Sequence, residues 1–563
     1  MKPVIYQIFT RLFGNTNKDC IWNGSRDRNG VGKMNDITEK ALSEIHQLGI
    51  THIWYTGIIE HALVEGYPEY DIPNGNPLLV KGKAGSPYAI KDYYDVDPDL
   101  AVDVGRRIEE FKDLIERTHQ SDMKVIIDFV PNHLAREYYS DEKPDGVNDF
   151  GEDDDVSKAF DQNNNFYYLP DEYLVLPDEL LQEQPHVNYY EYPAKATGND
   201  IFSPYLSKND WYETVKLNYG VDYLNERSTH FDPIPDTWIK MEQVISYWAA
   251  MGVDAFRCDM AEMVPVEFWN WLIPLAKSKY PELIFIAEVY DPDQYDNYID
   301  KGKFDYLYDK VGLYDILKNV IQGHSWASAI SQSWQGLNGK DAYMLRFLEN
   351  HDEQRIVSPY FAGDPWKAIS AMIVTATLNK GPLMLYFGQE LGEAAEGTSG
   401  FSGDDGRTTI FDYWCVIQHQ KWMNYGKFDG RQLQASEKEL RNCYREIIAV
   451  SQNDAVVNGE FYDLMWFNPH SEEFDHSKIY AYLRYSKKQN LLILTNFDDR
   501  ARELRLRIPE HAFELIGIDK NESLSLKVDR AKSEVISCEE FINSGNVFKL
   551  SKWGFLICEM SVI

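Results

Sequence analysis

The stretch Gly252 to Met260, GVDAFRCDM, reads as a short apolar strand that ends in charge. Arg257 and Asp259 stand two residues apart, so on an extended chain both side chains project from one face. A similar layout, an apolar run closing on a carboxylate, recurs around KVIIDF (Lys124 to Phe129, with Asp128) and LIFIAE (Leu283 to Glu288). Working outward, strands are expected at Val4 to Phe9, Thr51 to Tyr55, Lys124 to Phe129, Val253 to Arg257, Leu283 to Ala287, Phe304 to Tyr308, Ala342 to Phe347 and Pro382 to Phe387. Amphipathic stretches lie between them. In Arg106 to His119, for example, Ile108, Phe111, Leu114 and Ile115 recur at helical spacing with charges opposite. Strands alternating with helices in this number predict an α/β fold, a (β/α)₈ TIM barrel, with catalytic residues at the C-terminal strand ends.

One gap is too long for a βα loop. From His133 to about Thr237 the chain is rich in Asp, Asn, Tyr and Pro, with DFGEDDD at Asp149 to Asp155, which predicts an inserted subdomain after strand 3. After the helical stretch Ser436 to Gln452 come alternating runs such as KIYAYLRYS and NLLILTNF, which predict a C-terminal antiparallel β-sandwich. The expected division is a barrel over 1–132 and 233–455, an insertion over 133–232 and a β domain over 456–563.

The charge balance of 56 Lys and Arg against 90 Asp and Glu leaves a formal net charge of −34. Such a surface repels phosphate backbones and anionic lipid heads, so nucleic acid and membrane partners are not expected. No run reaches the roughly 18 apolar residues of a membrane span, and the start, MKPVIYQIFTRLFG, lacks the layout of a signal peptide. Six cysteines without a CxxC pair suggest neither a zinc site nor a disulfide framework, and a cytoplasmic setting is expected unless a signal peptide has been removed.

Four carboxylates close strands or begin the loops after them: Asp128, Asp259, Glu288 and Asp352. Taken singly, such a residue is more often a helix cap or an ion-pair partner. Arg257 beside Asp259 would hold that carboxylate ionised, as a nucleophile requires, while the apolar run before Glu288 would raise its pKa, as a proton donor requires. His133 and His351, near Asp128 and Asp352, are candidates for binding substrate hydroxyls. Tyr189, Tyr190, Tyr192 and Trp211 in the insertion are candidates for outer sugar contacts.

The segments DFVPNH (Asp128 to His133), GVDAFRCDM, IAEVY (Ile286 to Tyr290) and FLENHDEQR (Phe347 to Arg355) resemble, in order and spacing, the four signature regions of the α-amylase family, glycoside hydrolase family 13. VKLNYGVDY (Val215 to Tyr223) and GPLMLYFGQELGE (Gly381 to Glu393) are similar to further regions of that family. By matching position, the resemblance implies Asp259 as nucleophile, Glu288 as general acid and base, and Asp352 as stabiliser of an oxocarbenium-like transition state. It further implies Tyr88, His133, Arg257 and His351 as substrate-binding residues, with Asp92, Asp128 and Arg355 supporting the site. The implied activity is retaining hydrolysis of α-1,4-glucans or maltooligosaccharides without an organic cofactor. A glucanotransferase or a neopullulanase- or cyclomaltodextrinase-type enzyme would use the same residues, and a non-catalytic sugar-binding or transporter-associated homologue is the remote alternative.

Many members share a calcium ion between the Asn of the first region and a His four residues beyond the nucleophile. Here Asn132 is present but position 263 is Met, and a thioether is a poor ligand for a hard cation. In the loop FGNTNKD, Asn15, Asn17 and Asp19 are similar to a second calcium site of the neopullulanase-like branch, although Lys33 stands where that branch often has an Asp.

Overall fold

The computed structural model describes residues 1–563 apart from 19, 398–399, 401–402 and 530–531. Eight parallel strands form one sheet: β1 (Val4–Phe9), β2 (His52–Thr56), β3 (Lys124–Phe129), β4 (Ala255–Cys258), β5 (Ile284–Ala287), β6 (Tyr306–Tyr308), β7 (Met344–Leu345) and β8 (Leu383–Tyr386). They pair in the order β7-β6-β5-β4-β3-β2-β1-β8, and a parallel bridge between Arg346 and Leu383 brings β7 against β8. All eight expected strands are present. The seventh is shorter than its apolar run because Asp341–Tyr343 wind into a turn of 3₁₀ helix before it.

The helix expected over Arg106 to His119 runs from Arg107 to Gln120 and buries Phe111, Leu114 and Ile115. Gly252 ends the helix Asp236–Met251 with φ of 111°, a conformation that lets the chain reverse into β4 without a Cβ clash. The β3–β4 register sets Arg257 directly beside Asp128, so the strands bring these two charges together before any loop contributes.

The long excursion leaves β3 through His133–Ala135 and returns through Thr214–Lys216, which pair antiparallel. Between them the chain makes short strands and a small core of Leu176, Leu180, Leu206 and Tyr212, which also takes in Leu78 and Leu79 from the loop after β2. The inserted segment is thus packed onto that loop.

Beyond the helix Ala435–Ser451, a six-stranded antiparallel sheet and a two-stranded ribbon, Arg502–Leu506 with Asn546–Leu550, complete the chain. The strands Ser523–Asp529 and Lys532–Ser537 of that sheet were not among the runs expected from sequence. Their polar residues dilute the alternation of apolar ones. Ser370 donates to the carbonyls of Asn496 (2.8 Å) and Gly554 (2.9 Å), joining this sheet to the barrel helix Ile369–Thr377. Among the described residues, no helix is long and apolar enough to cross a membrane.

Candidate active site

At the C-terminal ends of the strands, one buried guanidinium gathers four carboxyl groups. Arg257 Nη1 lies 2.7 Å from Asp259 Oδ1 and 3.4 Å from Asp128 Oδ1, while Nη2 lies 2.8 Å from Glu288 Oε1 and 4.0 Å from Asp352 Oδ2. Its Nε donates to the Tyr308 hydroxyl at 3.2 Å. Glu288 is fixed from two further sides: the Met260 N–H donates to Oε2 at 2.8 Å and the Tyr290 hydroxyl to Oε1 at 2.6 Å. Met260 reaches that position through a left-handed backbone, φ 44°, immediately after Asp259. Trp54 Nε1 donates to Asp128 Oδ2 at 3.0 Å.

Four carboxyl groups sharing one guanidinium set the electrostatics. Burial pushes Asp259 well above the usual carboxylate range, and although Arg257 opposes this, Glu288, Asp128 and Asp352 reinforce it. The expectation that Arg257 alone would keep Asp259 at a low pKa is therefore corrected, because one positive charge is divided among four acids. Asp128 is also raised by burial, against Arg257 and His351. Asp352 goes the other way: burial would raise it, but His351, Arg257 and Arg407 together hold it below its ordinary value.

His351 connects this cluster to the barrel wall. Its Nε2 lies 3.0 Å from Asp352 Oδ2 and is bonded to the Tyr88 hydroxyl, its Nδ1 meets the Gln7 amide at 2.8 Å, and its ring stacks on Tyr88 with centroids 5.2 Å apart. Above lies a cavity of about 310 Å³, whose lining includes Asp259, Glu288, Asp352, Tyr88 and His133. Burial, followed by Lys216 and Lys81, lowers the His133 pKa to about 3, so its ring is neutral and suited to hydrogen bonding with an uncharged ligand. Trp211 of the insertion meets His133 edge-on at 5.2 Å and also lines the cavity. Tyr189, Tyr190 and Tyr192 do not line it: Tyr189 bonds Glu191, Tyr190 is 83% exposed and Tyr192 packs against Tyr173.

Arg355 supports the loop after β7 from behind, donating to Glu349 (2.9 Å), Thr408 Oγ1 (2.8 Å) and the Phe387 carbonyl (2.9 Å). Asp92 is not brought to the carboxylate cluster. It accepts from Ser140 Oγ and from the N–H groups of Tyr94, Asp141 and Glu142, at the seam between the loop after β2 and the insertion. At that seam its carboxylate is held by hydrogen bonds within the protein, apart from Asp259, Glu288 and Asp352. Sequence reasoning missed Tyr290, Tyr308, Trp54 and Gln7. Tyr290 was within reach, since it stands two residues after Glu288 as Arg257 stands two before Asp259.

The position beside Asn132 does not fit a calcium ion. Lys216 Nζ bonds Asn132 Oδ1, lies 3.3 Å from the Met263 carbonyl and pairs with Asp200 at 2.7 Å. An ammonium already holds the oxygens a hard cation would take, and two cations so close repel. In the loop after β1, Asn15 donates to the carbonyls of Asn29 (2.9 Å) and Trp414 (2.8 Å), and Asn17 donates to that of Arg28 (2.6 Å), which staples the turn. Asp19 lies outside the described residues, and Lys33 donates to the Asp99 carbonyl at 2.6 Å.

The family model for the α-amylase catalytic domain matches residues 7–459. Alpha-amylase 3 of Dictyoglomus thermophilum is 23% identical over 479 residues, covering 81% of this chain and 78% of that protein. The fold is shared with a noncanonic maltogenic α-amylase from Thermotoga neapolitana (TM-score 0.58, 18% identity, 100% of this chain and 99% of that one). It is shared equally with an α-amylase from Geobacillus thermoleovorans solved with acarbose (TM-score 0.60, 18% identity, 99% and 98%).

Proposed function

Because the chain belongs to the α-amylase family, whose members act on glycosidic bonds, we propose that it cleaves α-1,4-glucosidic bonds of starch-like glucans or maltooligosaccharides with retention of configuration. The observation that carries this reading is the set of Asp259, Glu288 and Asp352 around Arg257 at the foot of a cavity walled by Tyr88 and His133. Asp259 attacks the anomeric carbon as the bond to the leaving oxygen breaks, and Glu288 gives that oxygen its proton. A glycosyl ester on Asp259 results. Glu288 then takes a proton from water, the water oxygen attacks the same carbon, and the ester breaks to release the α-anomer. Asp352, held ionised by His351, Arg257 and Arg407, stabilises positive charge on the ring in both steps.

No organic cofactor is needed for this chemistry. Lys216 beside Asn132 supports activity without calcium at that position, and the loop of Asn15, Asn17 and Asp19 is where added calcium would act. Calcium titration of chelated protein by calorimetry tests that loop. A cytoplasmic location accords with the thiols of Cys258, Cys443, Cys538 and Cys558.

The deciding experiment is a product profile on soluble starch, maltooligosaccharides, pullulan and cyclodextrins, with anomers followed by NMR, for wild type beside Glu288→Gln. Shortened α-anomeric products from the wild type alone are expected. Lengthened or cyclised products would instead favour a transferase using the same intermediate, and sugar binding without turnover would favour a non-catalytic role.

A further inference from the structure

One charged wall of the cavity takes no part in the chemistry above. Lys81, from the loop after β2, and Glu213, just ahead of the returning strand Thr214–Lys216, form an ion pair at 2.7 Å, and both line the cavity beside Trp211 and Thr214. Glu213 is only 7% exposed; its Oε1 takes the lysine, and its Oε2 is buried with no hydrogen-bond partner among the described residues. A buried carboxylate oxygen without a donor destabilises a protein unless a ligand or water supplies one. The Lys81 ammonium lies 5.2 Å from the Tyr212 ring centroid and has donors beyond the one its partner uses.

We propose that Lys81 and Glu213 form a sugar-binding pair, with the Lys81 ammonium donating to a hydroxyl of a second glucosyl unit and Glu213 holding the ammonium in place through Oε1. A neutral pair recognises a neutral sugar without leaving net charge buried. The pair bridges two segments far apart in sequence, so it forms only when the insertion is docked. It makes the site prefer short oligosaccharides over single-sugar glycosides. This inference rests on the α-glucan reading of the same cavity.

The test is equilibrium binding of maltotriose and of methyl α-glucoside, by calorimetry, to Asp259→Asn protein alone and with Lys81→Met, Glu213→Gln or both. Each single change is expected to weaken maltotriose binding about tenfold, the equivalent of about 1.4 kcal/mol. The double variant should lose less than the two losses combined, and methyl α-glucoside binding should be unaffected. Lys81→Met keeps the stem packed on Tyr212 and guards against misfolding of the Glu213 variant. Unchanged maltotriose affinity in both single variants, or equal losses for the two sugars, overturns the pair as a second-sugar contact. Turnover by the wild type is measured in parallel. If turnover is absent while maltotriose binding and its selective loss persist, the hydrolase reading fails and the pair stands; if no sugar binds at all, both fall.

Discussion

Two clusters of four carboxyl groups in this molecule are built alike but differ in what their oxygens meet. Asp128, Asp259, Glu288 and Asp352 surround Arg257, and three of them face the cavity. Glu60, Asp92, Asp95 and Asp141 place carboxylate oxygens within 4.8 Å of one another, with Arg107 bonded to Asp95 (2.6 Å) and Asp141 (3.1 Å). The charge arithmetic is similar. What differs is where the remaining lone pairs point: Asp92 spends its oxygens on Ser140 and on three main-chain N–H groups, whereas Asp259 accepts from Arg257 and otherwise borders open space. The first cluster is ready for a substrate, and the second is a seam that ties the insertion to the loop after β2. An acidic cluster becomes a site when its acceptors are left for a ligand, which counting charges does not reveal.

Substitutions separate the two clusters most sharply. Asp259→Asn should lower kcat by at least about 10⁴-fold with an unchanged circular dichroism spectrum; activity within about tenfold of wild type, about 1.4 kcal/mol in barrier, would remove Asp259 from the nucleophile's role. Arg257→Met strands buried carboxylates and should destabilise the protein by about 3–5 kcal/mol in denaturant titration as well as abolish turnover. Arg107→Met should also lower stability but leave kcat in place. Loss of kcat there would mean that the seam reaches the chemistry.

The pH dependences should differ as well. Asp259 acts ionised and its pKa is raised, so kcat/KM should fall with acidification at a pH above the ordinary carboxylate value of about 4. An acid limb at or below that value in the kcat/KM profile contradicts the crowding of acids around Arg257. In the seam, burial raises Asp92 to about 7 and, against Arg107, Asp95 to about 6. Groups raised in the fold stabilise it fully below their unfolded value, about 3.9, and this contribution is lost as pH rises through 6 to 7. Melting temperatures across that range should show the decline, and Glu60→Gln, which gives Asp95 a permanently neutral neighbour, should flatten it. This is the smallest effect expected, and an identical slope in the variant would count against Glu60 as a contributor to the decline.

Much of this site was legible because strand periodicity is local. Arg257 on β4 and Asp259 just past its end, two residues apart, were expected to share a face, and the structure has them 2.7 Å apart. The position of Asp92 in a motif does not show which neighbours its carboxylate meets after the loop folds. Lys216 within VKLNYGVDY carries no local signal of its partners, because its contacts with Asn132, Asp200 and Met263 come from three separate segments.

The sequence by itself determined the eight strands, the long excursion after the third and the carboxylates at or just past the strand ends, because alternation, apolar runs and motif spacing act over a few bonds. Only the tertiary structure decided that one guanidinium would be divided among four acids, that an ammonium would stand beside Asn132, and that Lys81 would meet Glu213 across the cavity. Those outcomes depend on burial and on contacts between residues up to about a hundred or more positions apart, and Coulomb energies change several-fold with the surrounding dielectric, which exists only once the chain has packed.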